Sequence, residues 1–109
     1  MLIQAHHQDV TSIDFSNPLS GLQLLATAGQ DRLIHVFDVN AQYALVHTIE
    51  DHTAAITAMQ FVFHVASETL SLLSCSLDKS LVIRRVAGPS ATIRLTVAHQ
   101  VGDACTLYR

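Results

Sequence analysis

Histidine, a hydroxyl and aspartate recur along this chain in one order: His6, Thr27 and Asp31, then His52, Ser74 and Asp78. These are the residue types of general-base hydrolysis, in which an imidazole takes the proton of a hydroxyl nucleophile and a carboxylate orients the ring. A triad needs one such set, presented at a cleft beside an oxyanion hole. Here the set comes twice, 46 residues apart at the histidines and 47 at the hydroxyls and aspartates. Repetition points to a scaffold bond made once per structural unit. A small His/Asp-dependent hydrolase is the less favoured alternative, and no catalytic residue is assigned.

Other chemistry has less support. Seven histidines are many for 109 residues. Yet His6, His7, His35, His47, His52, His64 and His99 show no HxxxH spacing, and Cys75 and Cys105 form no CxxC pair, so no metal is expected. His35, His47 and His64 sit in strand-like runs and read as half-buried rings, each with one hydrogen-bond partner. The opening seven residues lack the basic and apolar regions of a secretory signal, so the expected compartment is reducing and both cysteines read as thiols. Gly29 is isolated rather than part of a phosphate-cradling GxGxxG, and no cofactor is expected. Nine acidic against six basic residues give a net charge of -3, which leaves no surplus to neutralise a nucleic-acid backbone. The apolar stretch 54–66 is broken by Thr57, Gln60 and His64 and has about half the length of a bilayer span, so no membrane partner is expected.

The elements that position these residues follow from composition and self-comparison. At 50% hydrophobic and 14% charged, the chain has the means to order a core, and its length allows one ordinary domain at most. Aromatics are few, and Phe15, Phe37, Phe61 and Phe63 are the largest core pieces. Residues 6–15 overlie 52–61, matching His6 with His52, Val10 with Ile56, Thr11 with Thr57 and Phe15 with Phe61. Residues 25–39 overlie 72–86, matching Thr27 with Ser74, Asp31 with Asp78, Ile34 with Leu81 and Val36 with Ile83. The change of offset places one inserted residue between Phe61 and Leu72, opposite the turn at 16–21. Turns tolerate such insertions. Alternation over 10–15 and the β-branched run at 33–37 predict strands, not helices. The expected strands are 10–15, 23–28, 33–38 and 43–49, then 56–63, 71–76, 81–86 and 92–98. A period near 45 residues with four strands in each is the pattern of a β-propeller blade, so the fold class is all-β with about two four-stranded antiparallel blades.

At this point the chain resembles the WD-repeat family. The carriers are His6 and His52 ahead of the first strands, Leu25-Ala26-Thr27-Ala28-Gly29-Gln30-Asp31 with its partner Leu73-Ser74-Cys75-Ser76-Leu77-Asp78, and the strand end Ile34-His35-Val36-Phe37-Asp38. Within that family, Asp31 to Asp38, followed by Ile49-Glu50-Asp51-His52 and Ile56-Thr57-Ala58, and the ending Thr106-Leu107-Tyr108 after His99 are similar to the mitogen-activated protein kinase-binding protein 1 group of large scaffolds. The resemblance implies a non-catalytic protein-interaction module whose partners are components of a stress-activated kinase cascade. It also implies a cytoplasmic location, with centrosome or spindle poles. A purely architectural arc, with the binding surface elsewhere, is the other reading.

The family's histidine, strand hydroxyl, turn aspartate and third-strand tryptophan form a hydrogen-bonded chain. By resemblance these positions are His6, Thr27, Asp31 and Phe37, then His52, Ser74, Asp78 and Arg84. Phe37 has no N–H, and Arg84 replaces an aromatic with a cation reaching either Asp78 or the solvent rim. Both chains are therefore expected to be incomplete. Arg32 and Lys79 in the turns, with the acidic pair Glu50 and Asp51, are the candidate partner-binding residues. The expected organisation is a remnant strand at 1–5, blade repeats at 6–51 and 52–98, and the start of a third at 99–109. Two blades are short of the four to eight that close a ring, so the rest of a longer propeller is expected to be required.

Overall fold

The first sheet is a meander of β1 (Val10–Phe15), β2 (Leu24–Gly29), β3 (Ile34–Asp38) and β4 (Ala44–Ile49), and the second repeats it with β5 (Ile56–His64), β6 (Thr69–Ser76), β7 (Ser80–Ala87) and β8 (Arg94–Gly102). The structure is a computed structural model that describes residues 5–88 and 93–102, with backbone alone at 98–102. All pairings are antiparallel between neighbours in sequence. The fold is thus all-β, two open four-stranded sheets in the manner of two propeller blades. The remnant strand at 1–5 lies almost wholly outside the described residues, as do the third-repeat residues after Gly102 and Cys105.

The offset change has a structural cause. Phe15 faces Leu25 and Phe61 faces Leu72 in the same register, so the extra residue falls between matched pairs. In the first blade the connection is a 3-10 turn, Pro18–Ser20. Asn17 caps it by accepting the Leu19 N–H at 2.9 Å, and Gly21 closes it at φ 80°. The second blade lengthens the strands instead, carrying the pairing out to His64 opposite Thr69. β8 also differs from expectation. It starts at Arg94 and continues through His99, which pairs with Ile83, while Val101 faces Leu81. In the first blade Ile34, the match of Leu81, faces Ile49, three residues ahead of His52. His99 therefore stands inside a strand, not at the matching place after one.

The two blades pack face to face. Rows through Asp14, Ala26, Val36 and His47 and through Ser12, Ala28, Ile34 and Ile49 form one side of the first sheet. Ala26, Ala28, Ile34, Val36 and Ile49 of those rows share one core with Ile56, Met59, Phe61, Leu70, Leu72 and Val86. Removing each Ile, Val, Met, Phe and Leu side chain among them from water is worth about 1.5–3 kcal/mol, which makes this seam the principal source of stability, while the small Ala26 and Ala28 let the sheets approach. Polar bonds latch it at both edges. Inside, the Phe61 N–H donates to Asp14 at 2.8 Å and the Ser12 hydroxyl to the Met59 carbonyl at 3.0 Å. Outside, His47 Nε2 donates to the Ile93 carbonyl at 2.8 Å. The opposite side of the first sheet leaves Ile13, Phe15 and Leu45 more than half exposed.

Candidate functional site

Each blade carries a buried polar chain tying the loop ahead of its first strand to the turn between its second and third. In the first blade, the turn after β2 closes with the Arg32 N–H on the Gly29 carbonyl at 3.3 Å, and Arg32 lies at φ 74°. Asp31 in that turn accepts from the Leu33 N–H at 3.2 Å, from the His7 N–H at 3.2 Å and from His6 Nδ1 at 2.9 Å. His6 Nε2 meets the Thr27 hydroxyl at 2.9 Å. A ring between a carboxylate and a hydroxyl is satisfied as the Nδ1–H tautomer, donating to Asp31 and accepting from Thr27. His35 adds a tilted ring contact to His6 at 4.8 Å and bonds Thr48 at 2.9 Å.

The second blade repeats the arrangement with changes. Asp78 accepts from the Thr53 and Ser80 N–H groups at 2.9 Å each, from His52 Nδ1 at 3.2 Å and from the Ser80 hydroxyl. His52 Nε2 meets the Ser74 hydroxyl at 2.8 Å. Lys79 holds φ 70° in the turn, as Arg32 does in its own. Where the first blade has Gly29, the second has Ser76, whose hydroxyl donates to the Ala54 carbonyl at 2.9 Å and accepts the Asp78 N–H at 3.1 Å.

Arg84 corrects the expectation of a broken chain. It is 1% exposed and reaches neither Asp78 nor open solvent: Nη1 donates to Ser74 at 3.0 Å and Nη2 to Asp51 at 2.7 Å. Guanidinium thus supplies the donor that the family takes from tryptophan. The order runs Arg84 to Ser74 to His52 to Asp78, every donor meeting an acceptor. In the first blade the shortfall stands, because Phe37 offers no donor and, among the described residues, no second side chain donates to Thr27.

Electrostatics follow the geometry. Burial opposes the charge on Asp31, but hydrogen bonds from His6, Leu33 and His7 outweigh it and hold the carboxyl below its usual range. Burial likewise opposes charge on Asp78, and donation from Ser80, Thr53 and His52 lowers its pKa much further. Both depressed carboxylates contribute stability that is present above about pH 3.8 and lost as pH falls through the folded values. His52 is held below the ordinary imidazole value by burial first, with Arg84 adding to the effect and Asp78 opposing it. His35 is lowered by burial and then by His6. Stability from these neutral rings is full above about pH 6.5 and declines as pH drops below it.

The arrangement can brace loops but is poorly built for acyl transfer. Ser74 is 1% exposed, and its oxygen lies between Arg84 and His52, where no scissile carbonyl can approach. Among the described residues, no three His, Cys, Asp or Glu side chains gather as metal ligands. Of the candidate partner residues, Arg32, Lys79 and Glu50 are exposed, while Asp51, half exposed, is also the carboxylate partner of Arg84. His47 is half-buried with the Ile93 carbonyl as its partner, as expected, whereas His64 bonds the Ser67 hydroxyl but is exposed at the end of β5 rather than half-buried. Sequence reasoning missed Ser80, whose place two residues after Asp78 was the available signal for a turn side chain bonding back to the carboxylate.

Comparison with known proteins gives these chains a family. The family model of the WD domain, G-beta repeat, matches residues 1–38 and 43–84. WD repeat-containing protein 62 of Sus scrofa is 38% identical over 97% of this chain and 7% of its own length. Mitogen-activated protein kinase-binding protein 1 of Homo sapiens is 35% identical over the same shares. Nuclear distribution protein PAC1 of Arthroderma benhamiae is 34% identical over 74% of this chain and 18% of its own length. The chain thus spans a small part of each relative. Two matched repeats, two four-stranded sheets and a buried His-hydroxyl-Asp chain in each make this chain a member of the WD-repeat family.

Proposed function

We propose that this two-blade unit is part of a non-catalytic protein-interaction scaffold, with its partner surface on the loops that the buried polar chains brace. The observation that carries the reading is the matched pair of turns. Arg32 and Lys79 occupy one backbone position, both with positive φ and both exposed, and the aspartate before each is anchored to the loop ahead of the blade. Loops held by a rigid scaffold are where recognition concentrates, because little ordering entropy is lost on binding. Similarity to mitogen-activated protein kinase-binding protein 1 favours a mitogen-activated protein kinase, or a protein acting with one, as partner.

The test is capture of purified mitogen-activated protein kinases by the chain, with Arg32→Ala and Lys79→Ala singly and together. The double variant is expected to raise the dissociation constant about tenfold, about 1.4 kcal/mol, at an unchanged unfolding midpoint. Equal capture by both forms removes this surface. The exposed Ile13, Phe15 and Leu45 support a second reading, an arc whose open apolar face packs against a neighbouring sheet while recognition happens elsewhere.

A further inference from the structure

The loop ahead of β5 is held through one imidazole. His52 is tied to Asp78 from the turn after β6, to Ser74 from β6 and to Ser80 from β7. The charged groups around it are Asp78, Arg84 from β7 and Asp51 from its own loop. His47 of β4 lines the same outer crevice of about 340 Å³ as Arg84, Asp51 and Glu50.

Neutral His52 fits this surrounding in one way only. Its Nδ1–H donates to Asp78, and Nε2 accepts the Ser74 proton, which leaves the Ser74 oxygen free to accept from Arg84. A proton on Nε2 reverses the Ser74 bond. One hydroxyl oxygen then accepts from an imidazolium and a guanidinium together, its own hydrogen loses its acceptor, and two cations face each other across it with side chains about 1–2% exposed. The first blade has no such conflict behind its hydroxyl, because Phe37 stands where Arg84 does.

We propose that Arg84 makes residues 50–53 a charge-gated loop, held while His52 is neutral and released when His52 takes a proton. Besides the His52 ring itself, the Asp51 carboxylate and the Thr53 N–H and hydroxyl tie the loop to the blade, and all of these bonds run through this cluster. The gate rests on the partner-surface reading only in that the loop it frees would face the partner.

The test is a side-chain and amide NMR titration of the full chain from about pH 8 to pH 5, which resolves each histidine separately. Expected is a His52 ring in the Nδ1–H form at the alkaline end. The Asp51 and Thr53 amides shift with the His52 midpoint and not with that of His47 or His6. Arg84→Trp keeps an N–H donor and drops the charge. It is expected to raise the His52 midpoint by about one unit and to uncouple the two amides from it. Asp51→Asn, a milder change, leaves the guanidinium unneutralised and is expected to lower the midpoint by about half a unit. An unmoved midpoint in Asp51→Asn overturns the proposal, even where Arg84→Trp fails to fold. So do amides that follow another histidine. Capture of a mitogen-activated protein kinase is measured on the same samples. A gate seen by NMR with capture indifferent to pH leaves the gate standing and removes the loop from the partner surface.

Discussion

The first blade ends its polar chain at Thr27, with Phe37 at the position of Arg84, whereas the second carries the chain one residue further, through Ser74 to Arg84 and on to Asp51. The backbone positions match at the same offset, so the difference lies in what each blade must satisfy. A phenylalanine leaves the hydroxyl one donor short but adds no charge. An arginine supplies the donor and brings a cation into the sheet, and that cation needs a carboxylate of its own. Asp51 is present for it in the second blade. Its match 46 residues earlier is Ala5. The donor end of the chain is therefore exchangeable only together with the residue before the histidine.

Exchanging the two residues is the most direct way to break the comparison. Phe37→Arg sets a guanidinium at the position of Arg84 in the first blade, with Ala5 where the second blade has Asp51 and with the His35 ring beside it. The expected loss is about 3 kcal/mol, the cost of a largely buried cation without a partner. Arg84→Phe costs less, about 1–2 kcal/mol, because Ser74 keeps His52 and the half-exposed Asp51 returns to water. Urea unfolding of both variants checks the order. The double variant Phe37→Arg, Ala5→Asp is expected to recover part of the first loss, and no recovery would separate Asp51 from the role given to it here.

A smaller asymmetry lies at the turn. A Cβ on Gly29 would sit 2.8 Å from His6 Nδ1 and 2.9 Å from Asp31 Oδ1, inside van der Waals contact with a ring already pinned at both nitrogens. Its φ is not positive, so the demand for glycine is one of space, not of backbone freedom. At the matching place Ser76 fits and bonds Ala54 and Asp78. Gly29→Ser is expected to cost about 2 kcal/mol by overpacking, and Ser76→Gly about 1 kcal/mol by lost hydrogen bonds. If Gly29→Ser is neutral in thermal unfolding, the first chain is looser than its distances imply.

The repeat was legible because period and strand alternation are local: β1 has the bounds expected for it, and six of the other seven strands lie within two residues of expectation at each end. β8 is the exception, since its length depends on a partner strand and not on its own pattern. The matched pairs Phe15–Leu25 and Phe61–Leu72 were readable as an offset change. The fate of Arg84 was not. Which acceptor a long cation reaches is settled by burial against the first blade and by Asp51, 33 residues upstream, and neither leaves a mark at position 84. The difference between Gly29 and Ser76 was hidden for the same reason. A clearance of a few tenths of an ångström beside His6 is a property of packing, which residue types do not encode.

At one position the blades should not differ at all. Arg32 and Lys79 have φ of 74° and 70°, a left-handed conformation that side chains with a Cβ adopt at a cost of about 1 kcal/mol and glycine adopts freely. Arg32→Gly and Lys79→Gly are therefore expected to stabilise the chain by nearly equal amounts, each up to about 0.5 kcal/mol once the freedom glycine adds to the unfolded chain is offset. Thermal unfolding gives the size, and unequal gains would show that one side chain carries packing the other lacks. The same variants separate stability from recognition, because a residue retained at a strained position for its cation alone should lose partner capture while the fold gains. A turn that becomes more stable and binds equally well would assign the strain to neither.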